Sequence, residues 1–391
     1  MTPRGRLVLG LGVFVYIVAW IFGSRPLYPV AVGLLLAVLL AWAWVGLANR
    51  PLRVRRLWRE HDVLEGEDVR IRLDVEPTGR ILPPTLTCTE RLGRLGTREF
   101  VLARGRGRLG GVYELRGVPR GRYTFGPPEL ALEDPYGLYR VEQEEGEQGA
   151  LLVYPRLVEL DRLFAEGGAH AQDGRRLLLQ RPSGFDLHSV REYAEGESLR
   201  KVHWRTTARR GRLMVKELED APRDEVAVLL DADASAAAGL DLAVRAAGSI
   251  LQAYARRGRR AVLVVNSALR EVQQVHSDVG DWRRALEVLA GVEPTGVISV
   301  SALLSGESNP AARALELVVV TGRPAPALVD RLVQRVLSRR SASLVYVDTT
   351  GRPDPGLLRL QAVGVRVAVV REGADLAEAL GASRAREAAR A

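Results

Sequence analysis

VAVLLDADAS, Val226 to Ser235, decides how the C-terminal half of this chain folds. Five apolar residues run without interruption into Asp231-Ala232-Asp233-Ala234-Ser235, a turn with oxygen-bearing side chains at alternate positions. An unbroken apolar run of this length fits a strand covered on both faces. Outward from it, helix and strand alternate. Residues 240–257 have helical apolar spacing, 261–265 is the next strand, and 282–289 the next helix. Residues 317–320, 327–339, 344–347 and 365–370 continue as strand, helix, strand and strand, and 372–391 reads as a last helix. Region 224–391 is therefore expected to be a Rossmann-like α/β domain on a largely parallel sheet with both faces covered.

Ligands of such sheets gather at the carboxyl ends of the strands. The turn after the first strand resembles the metal-ion-dependent adhesion site of von Willebrand factor A-type domains, whose Asp-x-Ser-x-Ser loop gives hard oxygen ligands to Mg²⁺. Asp231 and Ser235 match the outer positions, and Asp233 stands at the central Ser. That family adds a Thr and a second Asp from other loops. Thr295 is the candidate Thr, whereas Thr321-Gly322-Arg323 stands where the second carboxylate is expected. Asp231, Asp233 and Ser235 are thus the candidate Mg²⁺ ligands, and the competing reading is a degenerate site in a fold kept for protein contacts.

Other chemistries find little support. No GxGxxG follows a strand and no GxxxxGK[ST] occurs, so no nucleotide loop is visible. No Gly-x-Ser-x-Gly elbow is present, and Cys88 sits in an apparent strand as a small apolar residue. The five His residues show no HxxxH or HxH spacing. Arg256-Arg257-Gly258-Arg259-Arg260 reads as a helix C-terminus charged to suit its dipole. The net charge of +9 is nearly all Arg, dispersed rather than striped with aromatics, which argues against nucleic-acid binding. No nucleophile–base pair emerges, so the expectation is a protein without enzymatic activity and without a cofactor.

Toward the N-terminus the period falls to two. Val69, Ile71, Leu73 and Val75 alternate with Arg70, Arg72, Asp74 and Glu76, as in a half-buried strand. Further short strands, punctuated by Gly and Pro, make 51–160 an expected β-sandwich, immunoglobulin-like in outline. Before it, 7–23 and 28–48 carry no charge, and each has about the 17–25 residues that a membrane-spanning helix needs. Only four residues separate them, so 1–50 is expected to be a transmembrane hairpin. Arg4 and Arg6 precede the first run; Arg50, Arg53, Arg55, Arg56 and Arg59 follow the second; the connecting loop has Arg25 alone. The positive-inside rule then puts both ends in the cytoplasm, with the Arg cluster a topology signal or a contact for anionic lipid.

Residues 161–223 join the two folded regions, and 183–220 within them read SGFDLHSVREYAEGESLRKVHWRTTARRGRLMVKELED. Ser198 is a candidate N-cap for a helix over 199–210 that Gly211 stops. Strands at 190–193 and 213–218 flank it. On the helix Arg200, His203, Trp204 and Thr207 share one face. That face is either a Trp wedge locking two domains or a docking surface for a partner.

Tyr193, Gly196, Leu199-Arg200, Trp204, Ala208-Arg209, Leu213, Val215 and Glu217 together resemble the signature of the domain of unknown function 58 family. Arg120-Gly121-Arg122-Tyr123, Gly126-Pro127, Asp134-Pro135-Tyr136-Gly137-Leu138 and Val153-Tyr154-Pro155 resemble its preceding blocks. The resemblance implies a bacterial protein anchored in the cytoplasmic (inner) membrane by two spans. It also implies an adaptor role beside a MoxR-type AAA+ ATPase, and often a transglutaminase-like membrane protein, in a chaperone-like assembly system. Tyr193, Gly196, Arg200, Trp204, Arg209 and Glu217 are the candidate docking residues.

Overall fold

A computed structural model describes the chain apart from residues 59–61, 78–84, 105–107, 166–186, 193–203, 219–225, 276–278, 307–308, 353 and 382–391. It divides into two compact units, Met1–Tyr154 and Pro155–Ala391.

The first unit opens with α1 (Pro3–Phe22) and α2 (Leu27–Ala48). Thr2 caps α1, its hydroxyl accepting the Gly5 N–H at 3.0 Å, and Gly23 ends the helix at φ +61°. The helices pack as a hairpin, with the Tyr16 and Tyr28 rings edge to face, 5.6 Å between centroids. Both are long and apolar enough to cross a membrane.

Strands follow: β1 (Leu52–Leu57), β2 (Val63–Leu64), β3 (Val69–Pro77), β4 (Thr85–Arg91), β5 (Thr97–Val101) and β6 (Ala103–Arg104). Then come β7 (Leu109–Leu115), β8 (Gly121–Phe125), β9 (Glu129–Glu133), β10 (Arg140–Glu144) and β11 (Gly149–Tyr154). They form sheets in the orders β1-β3-β7-β6, β10-β9-β4-β5 and β2-β11-β8, antiparallel except where β2 meets β11. The alternation read in 69–76 is the pleat of β3: Ile71, Leu73 and Val75 are buried, and their neighbour Arg72 points outward. One hydrophobic core joins these sheets, and Val45 and Ala48 from the last turns of α2 belong to it.

The Arg cluster after α2 divides in the same way. Arg53 and Arg55 on β1 are exposed, but Arg56 turns inward and pairs with buried Glu90 at 2.8 Å. The Tyr113 hydroxyl donates to the other Glu90 oxygen. Arg56 is therefore a structural cation rather than a lipid contact. Cys88, next to this cluster on β4, is fully buried, and burial followed by the Glu90 charge pushes its thiol up to about 12.

In the second unit β12 (Leu187–Glu192) pairs antiparallel with β13 (Met214–Leu218), and α3 (Trp204–Arg210) precedes β13. A six-stranded sheet follows, with β14 (Val226–Leu230), β15 (Ala261–Val265), β16 (Val272–Val275), β17 (Glu316–Thr321), β18 (Ser341–Asp348) and β19 (Arg366–Arg371) in the order β16-β15-β14-β17-β18-β19. All neighbours are parallel except β15 and β16. Val226, Val228 and Leu230 face a layer that includes α4 (Leu240–Arg256) and α5 (Val279–Gly291). Ala227 and Leu229 face the opposite layer, with α6 (Val300–Leu303), α7 (Pro310–Arg313), α8 (Pro326–Leu337) and α9 (Pro355–Val363). A short α10 (Leu376–Leu380) closes the first layer. Residues 155–165, which the sequence divides between the β region and the joint, strap this unit instead: the Val158 N–H reaches Ser249 Oγ at 3.0 Å, and Leu163 is buried in the same core.

Candidate functional site

Chain order places one crevice in this sheet. From β14 the connection runs outward to β15, whereas from β17 it runs the other way to β18, so the chain switches direction between β14 and β17. A sheet of this kind opens its ligand crevice at such a point, beyond the carboxyl ends of the strands. Leu230 pairs with Val320 there, and the Asp231 N–H continues the ladder to the Val320 carbonyl at 2.9 Å. Asp231 and Thr321 therefore face each other at the mouth.

Side chains from three strand ends close the crevice around Asp231, which is 6% exposed. Asp231 Oδ2 accepts the Thr321 hydroxyl at 2.6 Å. Its Oδ1 accepts Asn266 Nδ2 at 2.9 Å and the Asp233 N–H at 3.2 Å. Asn266 Oδ1 accepts the Ala232 N–H, and the Arg323 N–H donates to Thr321 Oγ1 at 3.0 Å. Asp233 turns away and caps the short turn Ala234–Ala236, accepting Ser235 N–H at 2.8 Å and Ser235 Oγ at 2.7 Å. These bonds to Ser235, helped by the charge of Arg323, hold its carboxyl below the usual range. Gly296 completes the wall, because a Cβ there would lie 2.4 Å from the Asn266 carbonyl oxygen.

That donor set does not fit a hard cation, which needs converging oxygen lone pairs. N–H and O–H groups already converge on Asp231, while Asp233 and Ser235 bond to each other. Thr295, the candidate loop Thr, sits one residue from Gly296 but donates to the Glu293 carbonyl and accepts from Ala268 N–H. Among the described residues no three His, Cys, Asp or Glu side chains gather closely enough to share a metal. Asn266 was not legible as part of this network, since it lies 35 residues from Asp231 and carries no motif.

The basic run at the end of α4 is mostly exposed, but three of its arginines bond to groups of the same unit. Arg256 pairs with Glu159, Arg257 Nη2 donates to the Asp161 carbonyl, and Arg259 bonds Glu316 at 2.8 Å beside the Tyr254 ring. Gly258, at φ +68°, ends the helix as its sequence suggests.

The arm formed by α3 and the β12–β13 pair has the opposite character. Gly211, at φ +66°, stops α3, and its N–H bonds the Thr207 carbonyl at 2.9 Å. The Thr207 hydroxyl then accepts the Met214 N–H at 3.0 Å, fixing the helix to the start of β13, where Met214 is buried. Thr206 and Thr207 are half-buried, and the rest of α3 faces outward. Trp204 is 65% exposed. Arg205, Arg209 and Arg210 are exposed and have no ion pair among the described residues. Leu213 adds exposed apolar surface. Glu217 lies on β13 opposite Ser189, while Tyr193, Gly196 and Arg200 lie outside the described residues.

Arm and crevice fall within one match to known proteins. Residues 189–323 match the family model described as "Protein of unknown function DUF58". The chain carries a domain of that family, which says nothing of activity. A 218-residue stretch is 27% identical to the uncharacterised protein YeaD of Bacillus subtilis (strain 168), covering 54% of this chain and 53% of that one. The chain thus spans about half the length of this relative. Among solved structures, the bacterial hydrophobin BslA aligns at 13% identity over 27% of this chain and 99% of its own, with a TM-score of 0.18. Cwp6 from Clostridium difficile aligns at 11% identity over 83% of this chain and 54% of its own, with a TM-score of 0.17. At such scores neither likeness bears on fold or function.

Proposed function

We propose that this protein is a non-enzymatic adaptor of the bacterial cytoplasmic membrane that offers its α3 arm to a MoxR-type AAA+ ATPase. One observation carries the reading: Trp204 and three arginines with no ion pair among the described residues stand exposed on an element fixed at its base by Thr207 and Met214. A rigid aromatic set among cations is the composition of an interface hot spot. Such a surface suits an acidic partner and attracts it most strongly at low salt. In this reading α1 and α2 cross the membrane with both termini in the cytoplasm. The β-sheets around one core form an immunoglobulin-like sandwich, and the α/β unit is a von Willebrand factor A-like domain whose metal site has become a hydrogen-bonded plug. A transglutaminase-like membrane protein is a second partner of the assembly, and nucleic acid is not one.

Capture from native membranes tests the reading. The full chain should retain a AAA+ protein in the presence of a non-hydrolysable ATP analogue, and the Trp204→Ala/Arg209→Ala variant should not. Retention of no ATPase by the parent chain refutes the proposal. Mg²⁺ reception is the competing function. It calls for calorimetric heat at millimolar Mg²⁺ that disappears in Asp231→Ala, and the engaged carboxylate of Asp231 leads us to expect none.

A further inference from the structure

The turn between β9 and β10 meets the helical hairpin at an informative height. Its carboxylate, Asp134, is buried and accepts three backbone N–H groups: Tyr136 at 2.9 Å, Leu138 at 2.7 Å and Tyr139 at 2.6 Å. With Gly137 at φ +66°, the turn is rigid before it meets anything else. Thr2 then locks the start of α1 to it, donating its hydroxyl to the Gly137 carbonyl at 2.6 Å and its N–H to the Leu138 carbonyl at 3.2 Å. Leu138 packs against Val38, Ala41 and Val8. Gly5 makes the approach possible, since a Cβ there would lie 2.0 Å from the Leu138 carbonyl oxygen.

These contacts fix a depth. Val8 lies inside the uncharged run that begins at residue 7, so the turn reaches the level where the apolar span starts. Trp20 stands sixteen positions beyond Arg4 on α1, about 24 Å at ~1.5 Å per residue. That approaches the ~30 Å of a hydrocarbon core. Trp20 is exposed at the far end of the hairpin, and Trp42 and Trp44 near the end that carries Arg4 and Arg6. Two aromatic levels at this separation mark the two interfaces of a bilayer. The turn lies at the nearer level, and its Tyr136 is 79% exposed, with no side-chain hydrogen bond among the described residues.

We propose that the Asp134–Pro135–Tyr136–Gly137–Leu138 turn seats the β-sheet unit in the interfacial layer of the cytoplasmic leaflet. Tyr136 enters beside the lipid headgroups, joining Trp42 and Trp44, and the exposed Arg4 lies close enough to the same turn to hold a phosphate. The sheets thus rest on the bilayer instead of hanging from a tether. This inference depends on the spanning reading of α1 and α2, and the experiment separates the two.

The full chain is reconstituted in vesicles of phosphatidylethanolamine and phosphatidylglycerol at 3:1, with an environment-sensitive fluorophore on one introduced cysteine. Native Cys88 is buried with its thiol pushed up to about 12, so it stays unlabelled. Labels go on Tyr136→Cys, on Leu39→Cys at the exposed face of α2, and on Thr97→Cys at the opposite end of the sheet. At position 136, shallow nitroxide lipids should quench at least twofold more than at 97, and aqueous iodide at least twofold less. Gly5→Leu should return position 136 to the values seen at 97 while leaving position 39 lipid-quenched. Iodide access at 136 equal to that at 97, with position 39 lipid-quenched, overturns the seat alone. Absence of lipid quenching at position 39 overturns the spanning reading and the seat with it.

Discussion

The Asp231 crevice and the α3 arm lie within one family domain, yet they treat polar groups in opposite ways. In the crevice each acid that suggests chemistry is engaged by the fold: Asp231 by Thr321 and Asn266, Asp233 by Ser235. On the arm Trp204, Arg205, Arg209 and Arg210 are exposed, and the three arginines have no ion pair among the described residues. A buried polar group is costly unless satisfied, whereas an exposed aromatic among cations is a standing offer to a partner. Burial of motif residues is thus poor evidence for activity here, and the exposed set is the better guide.

The largest effect expected from breaking this contrast is in the crevice. Asp231→Ala removes the acceptor of two side chains and one backbone N–H, and should cost about 2–3 kcal/mol in chemical denaturation of the solubilised chain. A loss under about 1 kcal/mol would mean that the network is not structural. On the arm, Trp204→Ala combined with Arg209→Ala should leave stability within about 0.5 kcal/mol while weakening ATPase binding about tenfold or more. A comparable loss of stability would return Trp204 to a packing role. Thr321→Val should cost about 1 kcal/mol, and its effect should shrink when Asp231 is already Ala, because the two share one bond.

The smallest effect concerns Asp348, a third strand-end acid held by the fold. The hydrogen bond from Arg371 lowers its pKa, and the Gly351 and Thr350 N–H groups help. A depressed carboxylate stabilises the fold above its unfolded pKa of about 3.9 and loses that contribution as pH falls through the folded value. Arg371→Ala should therefore be less stable than the parent at neutral pH, with the two converging in acid. A gap that stays constant down to pH 2 would assign the effect to packing instead.

Local pattern carried much of the architecture. Val226–Leu230 and Ala261–Val265 are strands at the residues expected, because burial on both faces leaves only apolar side chains. β3 and the helical pair were equally plain, one by alternation and the other by length. α9 went unread, although Asp354 ahead of Pro355 is a helix start, its carboxylate accepting the Gly356 N–H at 2.7 Å. The crevice was legible as Asp231, Asp233 and Ser235 with Thr321 at another strand end, but not as a set of hydrogen bonds. Its chemistry depends on donors 35 and 90 residues away, Asn266 and Thr321, and no spacing rule links strand ends at that range. Trp204 stood out by type, but its exposure did not, since helical spacing puts it on one face with the half-buried Thr207.

Val45 and Ala48 lie in the core of the first unit beside Ile71, Leu86 and Leu132. α2 is made before the strands, so the sheets close their core onto its end, and once they have closed α2 cannot move without reopening it. A chain cut after residue 50 would begin with a hole in its largest β core. Attempts to obtain the β-sheets as a water-soluble fragment should therefore yield aggregates unless the missing aliphatic surface is replaced.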